Sequence, residues 1–402
     1  MISPELIDKI FSATFIRRWN DFPRLMELIE LDKQAHKFII AYLLAKCEDE
    51  KIDIRALIEI GIFEFLKRVV VTDIRPDVFH DILKENRKEI DNLVRNELRG
   101  MLVDIENGEF WRRFENYLDN DCLHKKEKHI LKAASYLSTR WEFQIIYESS
   151  KFLSDIEEVK KSVEKELEEY YDLKGIRDIT LSTKIEKIID LSGRLRFQKR
   201  WAQAPRIPET SVLGHMLIVA ILGYFFSLKI CASSKRLENN FYCALFHDFP
   251  ESLTRDIISP VKHSSSNLES IVNKIEMKRI DKFITPFIPE SFKSEFLYIL
   301  GINSDKKNEF ENRIFYDNKI TQVESLEEYN DDIYNAIDGK ALKNCDRLAA
   351  FLEAVISLSC GIKSRELVSG KETTLEKIEE NRIINGVDFY ELACKIGKFY
   401  EN

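Results

Sequence analysis

The sequence predicts an all-α protein, and three observations lead there. Apolar residues recur three and four positions apart through nearly every segment, the period of an amphipathic helix. Strand alternation and hairpin dipeptides are nearly absent. Charged residues make up 32% of the 402 positions, against 13 glycines and 9 prolines, a balance that suits long amphipathic helices.

Taken in order, helices are expected at 34–47 (QAHKFIIAYLLAKC), 54–71, 77–106, 126–152, 212–229, 238–249, 267–283 and 339–362. Residues 154–191, with IEEVKKSVEKELEEYYDLKG at their centre, form a charged helical run broken near Gly175. That run reads as a connector between an N-terminal domain, 1–153, and a C-terminal domain with a helical extension, 192–402. The longest apolar stretch, Met216 to Leu228, is interrupted by Gly223 and Ser227 and is short for a bilayer, so it reads as a buried core helix.

Bulk properties bound the function. At 44% hydrophobic the chain can bury a large core. Acidic and basic residues are interspersed to a net charge of −8, so no basic field argues for nucleic acid as partner. Seven cysteines, odd in number and without CxxC, read as reduced thiols. The N-terminus shows no basic region followed by an apolar core and a cleavage site. A cytoplasmic, membrane-free protein is expected.

The chemistry concentrates in CALFHDFPESLTRDIISPVK, residues 243–262. His247 and Asp248, adjacent at the end of an apolar helical run, can both turn toward one divalent cation. His215 lies upstream and Asp346 far downstream. Two neutral nitrogens and two carboxylates form a borderline-hard donor set suited to Mn, Co, Fe, Zn or Ni, with positions left for water. Glu251 and Asp256, just beyond the pair, are placed to handle protons.

This string, followed through Thr254, Asp256 and Ser259-Pro260-Val261-Lys262, resembles the HD-domain phosphohydrolases. It is most similar to the bacterial HD-domain 5′-deoxynucleotidases, whose central string reads much like HDxxExLTxDxPxPVK. The resemblance covers roughly residues 190–365 and extends to Lys199-Arg200-Trp201 before the first His. It implies one divalent metal (Co, Mn, Fe, Zn, Ni or Mg) held by His215, His247, Asp248 and Asp346. It also implies catalytic roles for Glu251 and Asp256, a phosphate contact from Arg200 and a sugar contact from Trp201. Arg206 and Lys262 are expected to add positive charge around a substrate phosphate.

The chain departs from the family's pattern at several points. Gly214 replaces an acidic residue, Pro250 follows Phe249 where small residues are common, Arg255 stands where Gly is usual, and Ile258 replaces a proline. These changes bear on substrate identity. No His follows His263 before Asp346, so one metal site is expected rather than two; His80, His124 and His129 read as ordinary residues.

The sequence also repeats itself. Residues 15–45 parallel 197–223, aligning Arg18-Trp19 with Arg200-Trp201 and His36 with His215. Residues 62–74 parallel 245–257, setting Asp73 opposite Asp256, and 131–143 parallel 342–354. In the first copy Glu64-Phe65 stands at the His-Asp position, Arg68 at that of Glu251 and Ser135 at that of Asp346. The expectation is tandem HD-type helical bundles with a degenerate N-terminal copy, acting as a monomer with an internal pseudo-dimer or as a weak homodimer. The expected activity is hydrolysis of nucleoside, above all deoxynucleoside, 5′-monophosphates. Hydrolysis of alarmones or triphosphates, and non-catalytic nucleotide sensing or scaffolding, are the alternatives.

Overall fold

Chain contacts divide the protein into two units: residues 1–45 with 50–172, and residues 46–49 with 173–402. The computed structural model describes residues 2–72, 74, 76–181, 183–255, 266–303 and 306–401. Residues 154–172 fold with the first unit and 173–191 with the second.

The first unit is helical. Its elements are α1 (Pro4–Phe11), α2 (Glu30–Cys47), α3 (Ile54–Val71), α4 (Pro76–Leu102), α5 (Glu109–Asp119), α6 (Lys125–Ser150) and α7 (Ile156–Glu166). A two-residue ladder pairs β1 (Arg17–Arg18) with β2 (Leu28–Ile29) and leads the chain into α2. Caps set the helix starts. Ser3 accepts from the Leu6 amide before α1, and Asp53 accepts from the Ala56 amide at 2.9 Å before α3. Phe63 of α3 meets Phe110 and Phe114 of α5 edge to face, each at 5.2 Å between centroids. At Gly61 an added Cβ would lie 2.4 Å from the Phe38 ring, so only glycine lets α2 and α3 approach this closely.

The second unit continues with α8 (Lys174–Leu181), α9 (Thr183–Arg194), α10 (Val212–Lys229), α11 (Ser234–Phe246), the single turn α12 (Glu251–Thr254), α13 (Ser266–Phe283) and α14 (Lys293–Ile299). After two small sheets come α15 (Gly339–Ser359), α16 (Arg365–Glu380) and α17 (Phe389–Glu401). Helix α10 is the hub. Its composition and length would suffice for a membrane span, but 94% of it is buried inside the protein, so it is a core helix. It packs against α11 and α15. Gly223 makes that packing possible, because a Cβ there would meet Leu342 at 2.9 Å.

Helices 54–71 and 212–229 fall where the apolar period places them. Others shift at their ends: α2 begins at Glu30, α4 stops at Leu102 and α11 spans Ser234–Phe246. One region runs against the expectation of few strands. β5 (Asn312–Tyr316) pairs with β6 (Lys319–Gln322) and with β7 (Ile337–Asp338), following the shorter pair β3 (Ile302–Asn303) and β4 (Lys306–Lys307). The β5–β6 turn is Asp317-Asn318, both at positive φ, the geometry a two-residue hairpin requires.

That sheet anchors the start of α15. Arg236 grips Asp338 through both carboxylate oxygens, at 2.7 and 2.6 Å, with both side chains buried. Gly339 follows, where a Cβ would strike the Glu311 carbonyl at 2.3 Å. The entry of α15 is thereby fixed, and with it the position of Asp346 two turns on.

Candidate metal centre

Three helices deliver the three groups that converge. His215 sits one turn into α10, which Ser211 caps by accepting from the Gly214 amide. His247 directly follows α11, and Asp346 projects from α15. One ligand atom from each of His215, His247 and Asp346 lies within 4.8 Å of the others, a spacing that fits a shared ion. His215 Nε2 stands 3.0 Å from Asp346 Oδ1, and His247 Nε2 stands 3.9 Å from that same oxygen. Asp248 joins through Oδ2, 3.1 Å from His247 Nε2.

The donor set fits a cation on two counts. His247 Nδ1 donates to the Ala244 carbonyl at 2.7 Å, which leaves a lone pair on Nε2. That Nε2 is buried and makes no hydrogen bond, although two carboxylates face it. A buried ring nitrogen facing two carboxylates without a hydrogen bond is costly unless something positive, a proton or a cation, lies between them.

His215 is oriented from behind. Its Nδ1 lies 3.3 Å from Glu353 Oε1, seven residues and two turns beyond Asp346 on α15. Glu353 gathers more. It accepts from Thr210 Oγ1 at 2.8 Å and from the Trp201 indole at 2.9 Å, and the Arg206 guanidinium lies 3.5 Å away. Burial alone would raise the Glu353 pKa, yet Arg206, His215 and Arg200 hold it well below the carboxylate range. Burial and Arg200 disfavour charge on His215, but Glu353 and Asp346 outweigh them and raise its pKa. Asp346 and Asp248 are likewise ionised against burial, the first chiefly by Lys343 and His215 and the second by His247 and Arg200.

Four other expected residues lie among the described ones. Arg200 Nη1 is 3.8 Å from Asp248 Oδ2. Trp201 adopts a positive φ of 57° and lays its ring on Gly370, where a Cβ would come within 2.4 Å. Arg206 is buried, donating to Thr210 Oγ1 at 2.7 Å and to the Pro208 carbonyl at 3.4 Å. Glu251 opens α12 after Pro250, so the helix of His247 does not run on to it. Asp256 and Lys262 lie outside the described residues.

Several contributors carry no motif. Glu353 is one; its signal is a lone acid in the apolar run LAAFLEAVISL, facing the same way as Asp346. Lys343 donates to Asp346 Oδ2 at 2.9 Å and sits 4.2 Å over the Phe310 ring, which packs on His247. Half-buried Lys307 pairs with Glu309 at 3.4 Å. Burial opposes its charge, but Glu309 and Glu276, with Asp248 and Glu251, push its pKa up to about 12.

The HD domain family model matches residues 192–374. A 5′-deoxynucleotidase of Vibrio parahaemolyticus is 25% identical over 172 residues, 42% of this chain and 73% of the relative. One from Pectobacterium atrosepticum is 22% identical over 205 residues, 49% of this chain and 84% of the relative. Among solved structures, an HD-domain phosphohydrolase from Listeria innocua aligns at 20% identity and a TM-score of 0.38, covering 54% of this chain and 86% of that one. The second unit therefore carries an HD domain at residues 192–374, and over it the chain is similar to the bacterial 5′-deoxynucleotidases.

Proposed function

We propose that this protein is a metal-dependent phosphohydrolase that cleaves the phosphomonoester of deoxynucleoside 5′-monophosphates. The observation that carries the reading is the convergence of His215, His247 and Asp346, with the His247 Nε2 buried and unbonded. The similarity to named 5′-deoxynucleotidases supports the substrate class.

His215, His247, Asp248 and Asp346 would hold one divalent cation, which supplies Lewis-acid activation of water and of the phosphoryl oxygen. Glu353 keeps the His215 ring in place by holding Nδ1, so that Nε2 faces the centre. Arg206 and Thr210 in turn hold Glu353, which assigns Arg206 to positioning rather than to substrate contact. Arg200, close to Asp248, is the cation placed to take a phosphate oxygen. Glu251, one turn past the His-Asp pair, is assigned to carry the proton to the leaving 5′-oxygen. Asp256 and Lys262 keep the roles the resemblance implies.

The test is a phosphate-release screen of deoxynucleotides and ribonucleotides against a panel of divalent metals. The proposal expects release from a deoxynucleoside monophosphate that chelation abolishes. Release of tripolyphosphate or pyrophosphate instead would favour the triphosphate or alarmone alternatives, and saturable binding without product would favour sensing.

A further inference from the structure

The first unit contains a cavity of about 470 Å³ that the metal centre does not use. Its size falls within the range of small-ligand pockets, roughly 300–1,000 Å³. Five cations line it: Lys67, Arg87, Lys125, Lys128 and Lys132.

The acids of the wall are already matched. Asp121 is paired with Arg87, and Glu64 with Lys37. Lys67 is itself paired with Asp91. What remains is a triad on α6. Lys125, Lys128 and Lys132 form no ion pair among the described residues. Lys128 donates only to the Asn120 carbonyl, at 2.9 Å, and lies 5.3 Å over the Tyr117 ring. Partial burial pulls its pKa below the ordinary lysine value.

These lysines sit where stability would not put them. Spaced three and four apart, they share one helix face and repel each other. Lys125 also opens the first turn of α6, the end of a helix at which positive charge is disfavoured. A feature that costs stability locally, around an open cavity, calls for a ligand. The aligned sequence adds its position: Glu64 stands opposite His247 and Lys132 opposite Lys343, so the cavity borders the counterpart of the metal centre. There the ligand set is gone, replaced by Glu64, Phe65 and Ser135.

We propose that the first unit binds a small oligoanion carrying two or more phosphate groups in this cavity, held by Lys125, Lys128 and Lys132, without hydrolysing it. Three lysines outside any ion pair, two of them only partly offset by Asp121, set the preference for multiple phosphates over one.

The test titrates tripolyphosphate and adenosine triphosphate into the full chain by calorimetry in EDTA, so that the metal centre is disarmed. The wild type is expected to bind at least one of them at a single site, intact after hours by phosphorus NMR. The double variant Lys125→Glu/Lys132→Glu, altered at exposed positions, should weaken that binding about ten-fold or more. Lys125→Arg/Lys132→Arg should retain it, which separates charge from misfolding. Arg200→Ala should leave it unchanged, which keeps this test apart from that of the proposed activity. Absence of binding at millimolar ligand overturns the proposal, as does binding that follows Arg200 rather than the two lysines.

Discussion

The two units solve one electrostatic problem in opposite ways. In each, a Trp at positive φ donates its indole to a buried Glu on a long helix: Trp19 to Glu142 at 3.0 Å, Trp201 to Glu353 at 2.9 Å. The parallel between 131–143 and 342–354 sets those two glutamates opposite each other. Thr72 and Arg255, also aligned, both take positive φ where α3 and α12 end. His36 and His215 are both fully buried on the helix after the Trp. Such coincidences support the proposal that the first unit is a degenerate copy of the second.

The difference lies at the centre. In the first unit, Lys33 donates to Ser135 at 2.6 Å, where the second has Asp346, and Lys37 pairs with Glu64, where the second has His247. Both lysines are buried. Where the second unit's centre has carboxylates that would hold a cation, the first has two buried lysines, one bonded to Ser135 and one paired with Glu64. If the first unit is a degenerate copy, losing a metal site has meant resettling the buried polar groups around it as well as losing ligands.

The sharpest way to break this contrast is to remove Asp346. Asp346→Ala should lower phosphate release by more than about 10²-fold, because both histidines lose their shared carboxylate. His36→Ala should leave it nearly unchanged; equal losses would mean that the first unit also takes part in the reaction.

In the first unit the corresponding dependence is structural. Glu142→Ala removes one of the two carboxylate partners of half-buried Arg18, which Glu30 still holds at 3.1 Å, and should cost about 1.5–3 kcal/mol in denaturant unfolding. Glu353→Gln keeps shape but loses the charge behind His215. It should weaken metal affinity about 10–100-fold while the circular dichroism spectrum stays native.

Smaller effects sharpen the account. Gly223→Ala overpacks α10 against α15 and should lower stability by about 1–3 kcal/mol, read from the unfolding midpoint. Lys33 offers a pH signature. Burial brings its pKa down to about 7, with Glu30 and Arg18 acting in opposite senses. The folded state therefore holds this proton less tightly than the unfolded chain. Its contribution is complete above the ordinary lysine pKa and is lost as pH falls toward about 7. Lys33→Met should flatten that slope, and an unchanged slope would place Lys33 in a less buried setting.

Much of this was legible in the residues. The apolar period locates α3 and α10 because their buried faces are continuous, and His215, His247 and Asp346 stand out because few residue types bind metals. Three features were not. The hairpin at Asp317-Asn318 was hidden because β6 is mostly exposed, so its strand lacks an apolar alternation to read. Glu353 was hidden because one carboxylate in an apolar helix announces nothing until its partners fold around it. The lysine replacement in the first unit was hidden because Lys33 and Lys37 look like surface residues in a helix that turns out to be buried from Glu30 to Ala45.

Metal stoichiometry tests the contrast most directly. The full chain, dialysed against each candidate divalent ion and assayed by mass spectrometry, should retain one ion per chain. Asp346→Ala should release it and His36→Ala should keep it. Two ions per wild-type chain, or one that survives Asp346→Ala, would contradict the account.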